Sequence, residues 1–411
     1  MKFKKLLAAL LAVMMVASMA ACGSDAASST TAASAEAPAA EATEAPAAEA
    51  TEAPAAEAAE APAEAAGSAA EAATEAPAEE ETPKADSIEC DPLTIDFSTV
   101  YNETETGGQI IKHFEEYISN LTGGAITMNI FWGGTLFSDP EALDGVNSGA
   151  VNMTALGHMP HLATLNYLAF PGFAPGGTKA ALDYFDTLMF KDPETSALIQ
   201  QEAADNGIIY LNVLAGGANA FCTTYEFTDL DSMISGSKSF GNMDAAIFEK
   251  LGFQVTSVGP GDGYDALQRG LIDSTQMGLA PMVSMGWQDV ASYWALDGTY
   301  TAGNMFTANL DWWNGLSDAQ RQAIQQAADE VEEYSAGIYD DSIASDCATI
   351  EEKTGNKMVE LSDADIERIW AATFDAKAEA ALATAEPNGK TEGMTKILEV
   401  AAELTGYDWK H

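Results

Sequence analysis

The sequence predicts a two-lobed α/β protein, and three observations carry that prediction. A strand–helix–strand–helix–strand order runs from Pro92 to Leu156. The same order recurs from Ser239 past Ile272, and one long helical pattern follows Leu316. Alternating strands and helices bury a sheet between helical layers, so each unit reads as a lobe built on parallel strands. The long helix reads as a strut lying across both lobes.

In the first unit, Pro92 to Ser98 alternates as a strand, and Ile110, Ile111, Phe114, Ile118 and Leu121 recur at helical spacing until Gly123-Gly124 stops them. Ala125 to Phe131 is the second strand. Ser138 or Asp139 caps a short helix with Pro140 in its first turn, Gly149 ends it, and Ala150 to Leu156 is the third strand. In the second unit, Ser239-Phe240 opens a strand, Asp244 to Leu251 is a helix and Phe253 to Val258 a strand. GPGDGYDALQRGLIDS (259–274) then supplies a turn, a short helix and the start of another strand at Ile272. Gly149 and Gly270 hold equivalent C-cap places, so Asn152 and Asp273, early in the strands that follow, read as structural. The sequence Leu316-Ser317-Asp318-Ala319-Gln320 caps the strut helix, which at about 30 residues is long for a globular domain. Leu361 to Asp365 begins another helix, and Met394 to Leu404 is the last. In open parallel sheets ligands gather outside the strand carboxyl ends, which here would face a cleft between the lobes.

Residues 1–22 read as an export signal: Lys2, Lys4 and Lys5, then LLAALLAVMMVA, then small residues ending at Cys22. The small residues before Cys22 resemble a bacterial lipobox, whose cysteine is acylated; plain secretion with an incidental cysteine is the alternative. Residues 23–88 are nearly all Ala, Glu, Pro, Thr and Ser, with 15 acids against Lys84 alone, a composition that stays extended and buries no core. From residue 89 onward 48 acids face 14 bases, a net charge of −34 that excludes nucleic acid and anionic lipid as partners of the general field. Cys90, Cys222 and Cys347 are too widely spaced for a zinc or redox motif, and no disulfide is expected.

Four segments resemble the DctP-like solute-binding proteins of tripartite ATP-independent periplasmic (TRAP) transporters. GPGDGYDALQRGLID (259–273) looks like the family's YxALQxGxxDG stretch and is the most specific. Tyr167 to Pro171 is similar to its first-lobe lPF stretch, Asp229-Leu230 through Lys238 to its dLkGlKiR, and Trp312 to Ser317 to the lead-in of its hinge helix. The resemblance covers about residues 91–405. It implies a type II periplasmic-binding-protein-like fold, with lobe 1 at 89–215 completed by about 311–411 and lobe 2 at 216–310. It also implies a receptor that carries a small organic molecule in the interlobe cleft to a membrane permease.

The resemblance and the strand-end rule together nominate Tyr101, Asn102, Trp132, His158, Asn219, Phe240, Asn242 and Gln276 as solute contacts. For Trp132 and Phe240, packing in a core is the competing reading. In the family an arginine pairing with the solute's carboxylate follows the Lys238 position; here Phe240 stands in its place, and a second basic position falls near Asn219. A carboxylate held without a paired cation is costly, so the sequence predicts a solute other than a simple dicarboxylate or sialic-acid-like sugar. No cofactor, no metal and no catalysis are expected: GxSxG, HExxH and Walker motifs are missing, and His158 with His161 is too little for a metal. The resemblance implies a small solute and permease subunits as partners, and the lipobox-like segment implies the bilayer, reached through acylated Cys22 on the outer face of the cytoplasmic membrane. An ABC permease, or a ligand-sensing role for a surface lipoprotein, remain open alternatives.

Overall fold

The computed structural model describes residues 87–157 and 161–410. Strand β1 (Leu93–Ser98) pairs in parallel with β2 (Ile126–Phe131) and with β3 (Met153–Gly157). Between them run α1 (Thr106–Leu121) and α2 (Ala142–Asn147), the latter led in by a Ser138–Glu141 capping box. This is the predicted βαβαβ unit, with β3 beginning later than Ala150. Asn152, left outside the strand, accepts the Asp96 N–H through Oδ1 at 2.8 Å.

The chain then builds a layer that the sequence reading left undescribed. It contains β4 (Phe173–Pro175), α3 (Thr178–Asp186), α4 (Pro193–Asp205, N-capped by Asp192) and β5 (Ile208–Tyr210). Strand β6 (Leu214–Thr223) leads through α5 (Leu230–Gly236) to the second unit. That unit comprises β7 (Phe240–Gly241), α6 (Ala245–Leu251), β8 (Val255–Thr256), α7 (Gly263–Gln268) and β9 (Ser274–Gly278), followed by α8 (Leu279–Ser284). Strands β7 and β8 are stubs of two residues, parallel to one another, and β7 is also parallel to the five-residue β9. Asp273 anchors their ends, its carboxylate accepting the Lys238 N–H at 2.9 Å and the Ser237 hydroxyl at 3.1 Å. Gly149 and Gly270 both sit at positive φ, +73° and +67°, as the shared C-cap plan requires.

The two units share one sheet, ordered β2-β1-β3-β10-β6-β9-β7-β8. The 17-residue strand β10 (Tyr293–Asn309) makes this possible. Its end, Asn304 to Ala308, pairs antiparallel with β3, while its start, Tyr293 to Leu296, pairs with the far half of β6. The β6–β10 ladder is irregular between Leu296 and Asn304, where the chain crosses from one half to the other. Hydrophobic packing is nevertheless divided: two buried clusters flank the β1–β3 half, and two others flank the β7–β9 half.

After α9 (Leu310–Gly315), helix α10 (Asp318–Thr354) runs 37 residues from a Ser317–Gln320 capping box to Gly355. Its Ala323 to Val331 stretch packs on lobe 1, and Ile343, Cys347 and Ile350 pack on lobe 2. The predicted strut is therefore present. A second one was not foreseen: α11 (Asp363–Ala385) places Ile369 and Ala376 in a lobe 2 core, and Trp370, Phe374 and Ala381 in a lobe 1 core shared with α12 (Thr391–Thr405). Cys90, Cys222 and Cys347 are all free thiols.

One carboxyl in lobe 1 gives the fold a pH signature. Burial, reinforced by Asp186, pushes Glu332 from its ordinary 4.5 up to about 7. The folded chain thus favours the neutral acid. Glu332 costs nothing below about pH 4.5 and its full penalty above pH 7. Glu332→Gln is expected to raise stability at pH 8 by about 1–2 kcal/mol, discounted for its partial exposure, and to gain nothing at pH 4.5. Thermal melts at the two pH values check this.

Candidate functional site

A cavity of about 610 Å³ opens where the carboxyl ends of the lobe 2 strands meet the crossover. Gly241 and Asn242 follow β7, Val258 to Pro260 follow β8, and Thr275 to Gly278 come from β9. That is where parallel strands in an open sheet expose their ligand-facing ends. The crossover strands add Gly216 to Asn219 and Thr301; α10 adds Tyr339, Ser342, Ile343 and Asp346; lobe 1 adds Phe173. The four α10 residues are spaced i, i+3, i+4 and i+7 and so share one helical face.

Three sequence-nominated residues converge here. Gln276 lines the wall and donates through Nε2 to Asp297 Oδ2 at 2.6 Å. Asn242 donates to the Gln276 carbonyl at 2.8 Å and accepts the Asp244 N–H at 2.8 Å, so its side chain ties β7 to β9 and starts α6. Asn219, 4% exposed, donates to Thr299 Oγ1 at 3.0 Å. Their hydrogen bonds fix the polar wall before any solute arrives.

The others lie elsewhere. Tyr101 is half-buried against α1 and Tyr339 in a crevice without room for a water, and its hydroxyl accepts from Asn304 Nδ2 at 2.7 Å. Asn102 is exposed and bonds to Glu105 Oε1 at 2.8 Å, a turn contact before α1. Trp132 packs on a lobe 1 core, which supplies the support its flanking glycines do not. His158 lies outside the described residues, as does Cys22. Phe240 is a correction: it is fully buried, with Phe253 and Phe248 at ring-centroid distances of 4.4 and 4.5 Å and Phe221 at 6.1 Å. β7 turns that side chain toward α6 and α11, away from the cavity, because an aromatic ring gains more from this core than from a wetted wall.

The charges of the site are its least expected feature. Asp244 and Asp346 line the cavity, and no Lys, Arg or His does so among the described residues. Asp244 is paired with Lys377 Nζ at 2.9 Å, and that ammonium also lies 5.8 Å from the Phe173 ring. Among the described residues Asp346 has only the Ser342 hydroxyl, at 3.5 Å, and partial burial pushes its carboxyl above the usual range. Asp297, 1% exposed behind Gln276, is likewise raised by burial, against donation from Gln276 and from the Thr299 N–H and hydroxyl. The three arginines are engaged elsewhere: Arg269 with Asp265, Arg321 with Asp318 and the Leu316 carbonyl, Arg368 with Asp231 and Asp365. Trp287 also lines the cavity, and neither Asp244 nor Asp346 stood among the sequence candidates. The i, i+3, i+7 spacing of Tyr339, Ser342 and Asp346 was visible, but nothing said which helical face would be wetted.

The sequence profile of the bacterial extracellular solute-binding proteins, family 7 (DctP), matches residues 97–381. A curated relative, the C4-dicarboxylate-binding periplasmic protein DctP of Rhodobacter capsulatus, is 25% identical over 264 residues, 60% of this chain and 74% of its own. Among solved structures, a TRAP periplasmic solute-binding protein from Ochrobactrum anthropi superposes with a TM-score of 0.65 at 21% identity, covering 77% of this chain and 97% of the other. One from Roseobacter denitrificans with bound β-D-glucuronate superposes at 0.59 and 20% identity, covering 77% and 100%. These likenesses give the two-lobed type II fold.

Proposed function

The chain belongs to family 7 of the bacterial extracellular solute-binding proteins, and from that premise we propose that it captures a small organic molecule in the 610 Å³ cavity and hands it to a TRAP-type membrane permease. The cavity's placement carries the reading. Its walls come from lobe 2, from the crossover strands and from a helix packed on both lobes, with Phe173 reaching in from lobe 1. A solute touching all of these binds a closed arrangement better than an open one and shifts the population toward it. Asn219, Asn242 and Gln276 supply the polar contacts in this reading.

Cys22 carries the lipid, and residues 23–88 act as the tether that keeps the receptor concentrated beside its permease. No helix among the described residues is long and apolar enough to cross a membrane. The protein works as a receptor, not a catalyst. The test is a thermal-shift screen over acids, amines, polyols and aromatics, followed by uptake of the stabilising compound. Deleting the gene is expected to abolish that uptake; undiminished uptake overturns the proposal.

A further inference from the structure

Resting on that receptor reading, we propose that the cavity selects an organic cation, an amine with an apolar or aromatic body, and that Asp346 is its counter-charge. The walls name the chemistry. An anionic solute would be taken from water into a cavity whose charged lining, among the described residues, consists of two carboxylates, with no cation to offset its desolvation. The Lys377 ammonium is already engaged, holding Asp244 at 2.9 Å.

A cationic solute meets the reverse situation. Asp346 reaches the cavity from α10 with only a long contact to Ser342 and no ion-pair partner among the described residues. The remaining walls suit the body of such a molecule. Trp287, Tyr339 and Phe173 offer aromatic surface, which favours a cation over its neutral isostere. Ile343 and Met277 are apolar and half-buried. The acidic character extends to the whole folded part, whose net charge of −34 attracts cations and repels anions at long range.

The experiment uses matched triads that differ only in charge: phenethylamine, 2-phenylethanol and 3-phenylpropionate, and the corresponding aliphatic and quaternary series. Thermal shift and calorimetric titration are read on the full chain, with malate and glucuronate as further acids. The expected result is stabilisation by at least one amine, with its alcohol weaker and its carboxylate silent. Asp346→Asn should weaken that amine about tenfold or more, while Asp346→Glu retains most of the affinity. Unliganded melting should not fall in either variant, which shows that the fold survives. Stabilisation by acids alone overturns the charge assignment and leaves the receptor reading standing. Equal binding of the amine by wild type and Asp346→Asn overturns the role of Asp346. Silence across all charge classes counts against the receptor reading as well.

Discussion

Replacing Phe240 by arginine, the residue that the resemblance puts at that place in the sequence, is expected to unfold lobe 2 and to create no acid-binding site. Phe240 is fully buried among Phe221, Phe248 and Phe253, with Ile247, Leu230 and Met233 in the same cluster. Truncating a buried phenylalanine costs about 3–5 kcal/mol. An arginine there places a charge among these apolar side chains, a further several kcal/mol. Together these approach the whole stability of a typical domain, about 5–15 kcal/mol. Circular dichroism and limited proteolysis should show Phe240→Arg largely unstructured in lobe 2, whereas Phe240→Leu should lose only about 1–1.5 kcal/mol. A Phe240→Arg protein that melts like wild type and binds malate would falsify this placement of the ring.

The second large effect is expected at Gly298, where β10 leaves lobe 2 for lobe 1. Its φ is +79°, and a Cβ there would stand 2.5 Å from Ile366 Cγ2 and 2.8 Å from Ile366 Cγ1. Ile366 belongs to α11, the helix packed on both lobes, so the overlap cannot be relieved by one free rotamer. Left-handed backbone costs a non-glycine residue about 1–2 kcal/mol, and overpacking adds about 1–3 kcal/mol. Gly298→Val should therefore destabilise by about 4 kcal/mol, with Gly298→Ala losing less. Chemical denaturation measures both. A change below about 1 kcal/mol in the valine variant would mean that the crossover is not held in this geometry.

The reason Phe240 was misplaced says where sequence reasoning stops. Its position in the chain was legible, but a strand's alternation fixes a side only when the strand is long enough to show it, and β7 has two residues. The caps were legible because they are local chemistry. Ser138 with Glu141, Ser317 with Gln320, and glycines 149 and 270 all behave as their residue types dictate. Asn152 and Asp273 were read as structural for the same reason, and both bond to neighbouring backbone.

Strand β10 was not legible. YWALDGTYTAGNMFTAN (293–309) breaks its alternation at Gly298 and Gly303, and its two ends pair with different lobes. Missing it hid the fact that the two units share a single sheet. Asp346 was hidden by number, one acid among 63. Only the packing of α10, which buries Ile350 and leaves Ser342 and Asp346 toward the cavity, singles it out.

The most direct test of solute capture in this cavity is a binding measurement on Ser342→Trp. Ser342 is half-buried on the cavity face of α10, so an indole there fills the space from a helix that tolerates it. Calorimetric titration with whichever compound stabilises the wild type should show binding abolished, while melting without solute stays within about 1 kcal/mol of wild type. Wild-type affinity in the filled protein would place the solute elsewhere and contradict the account.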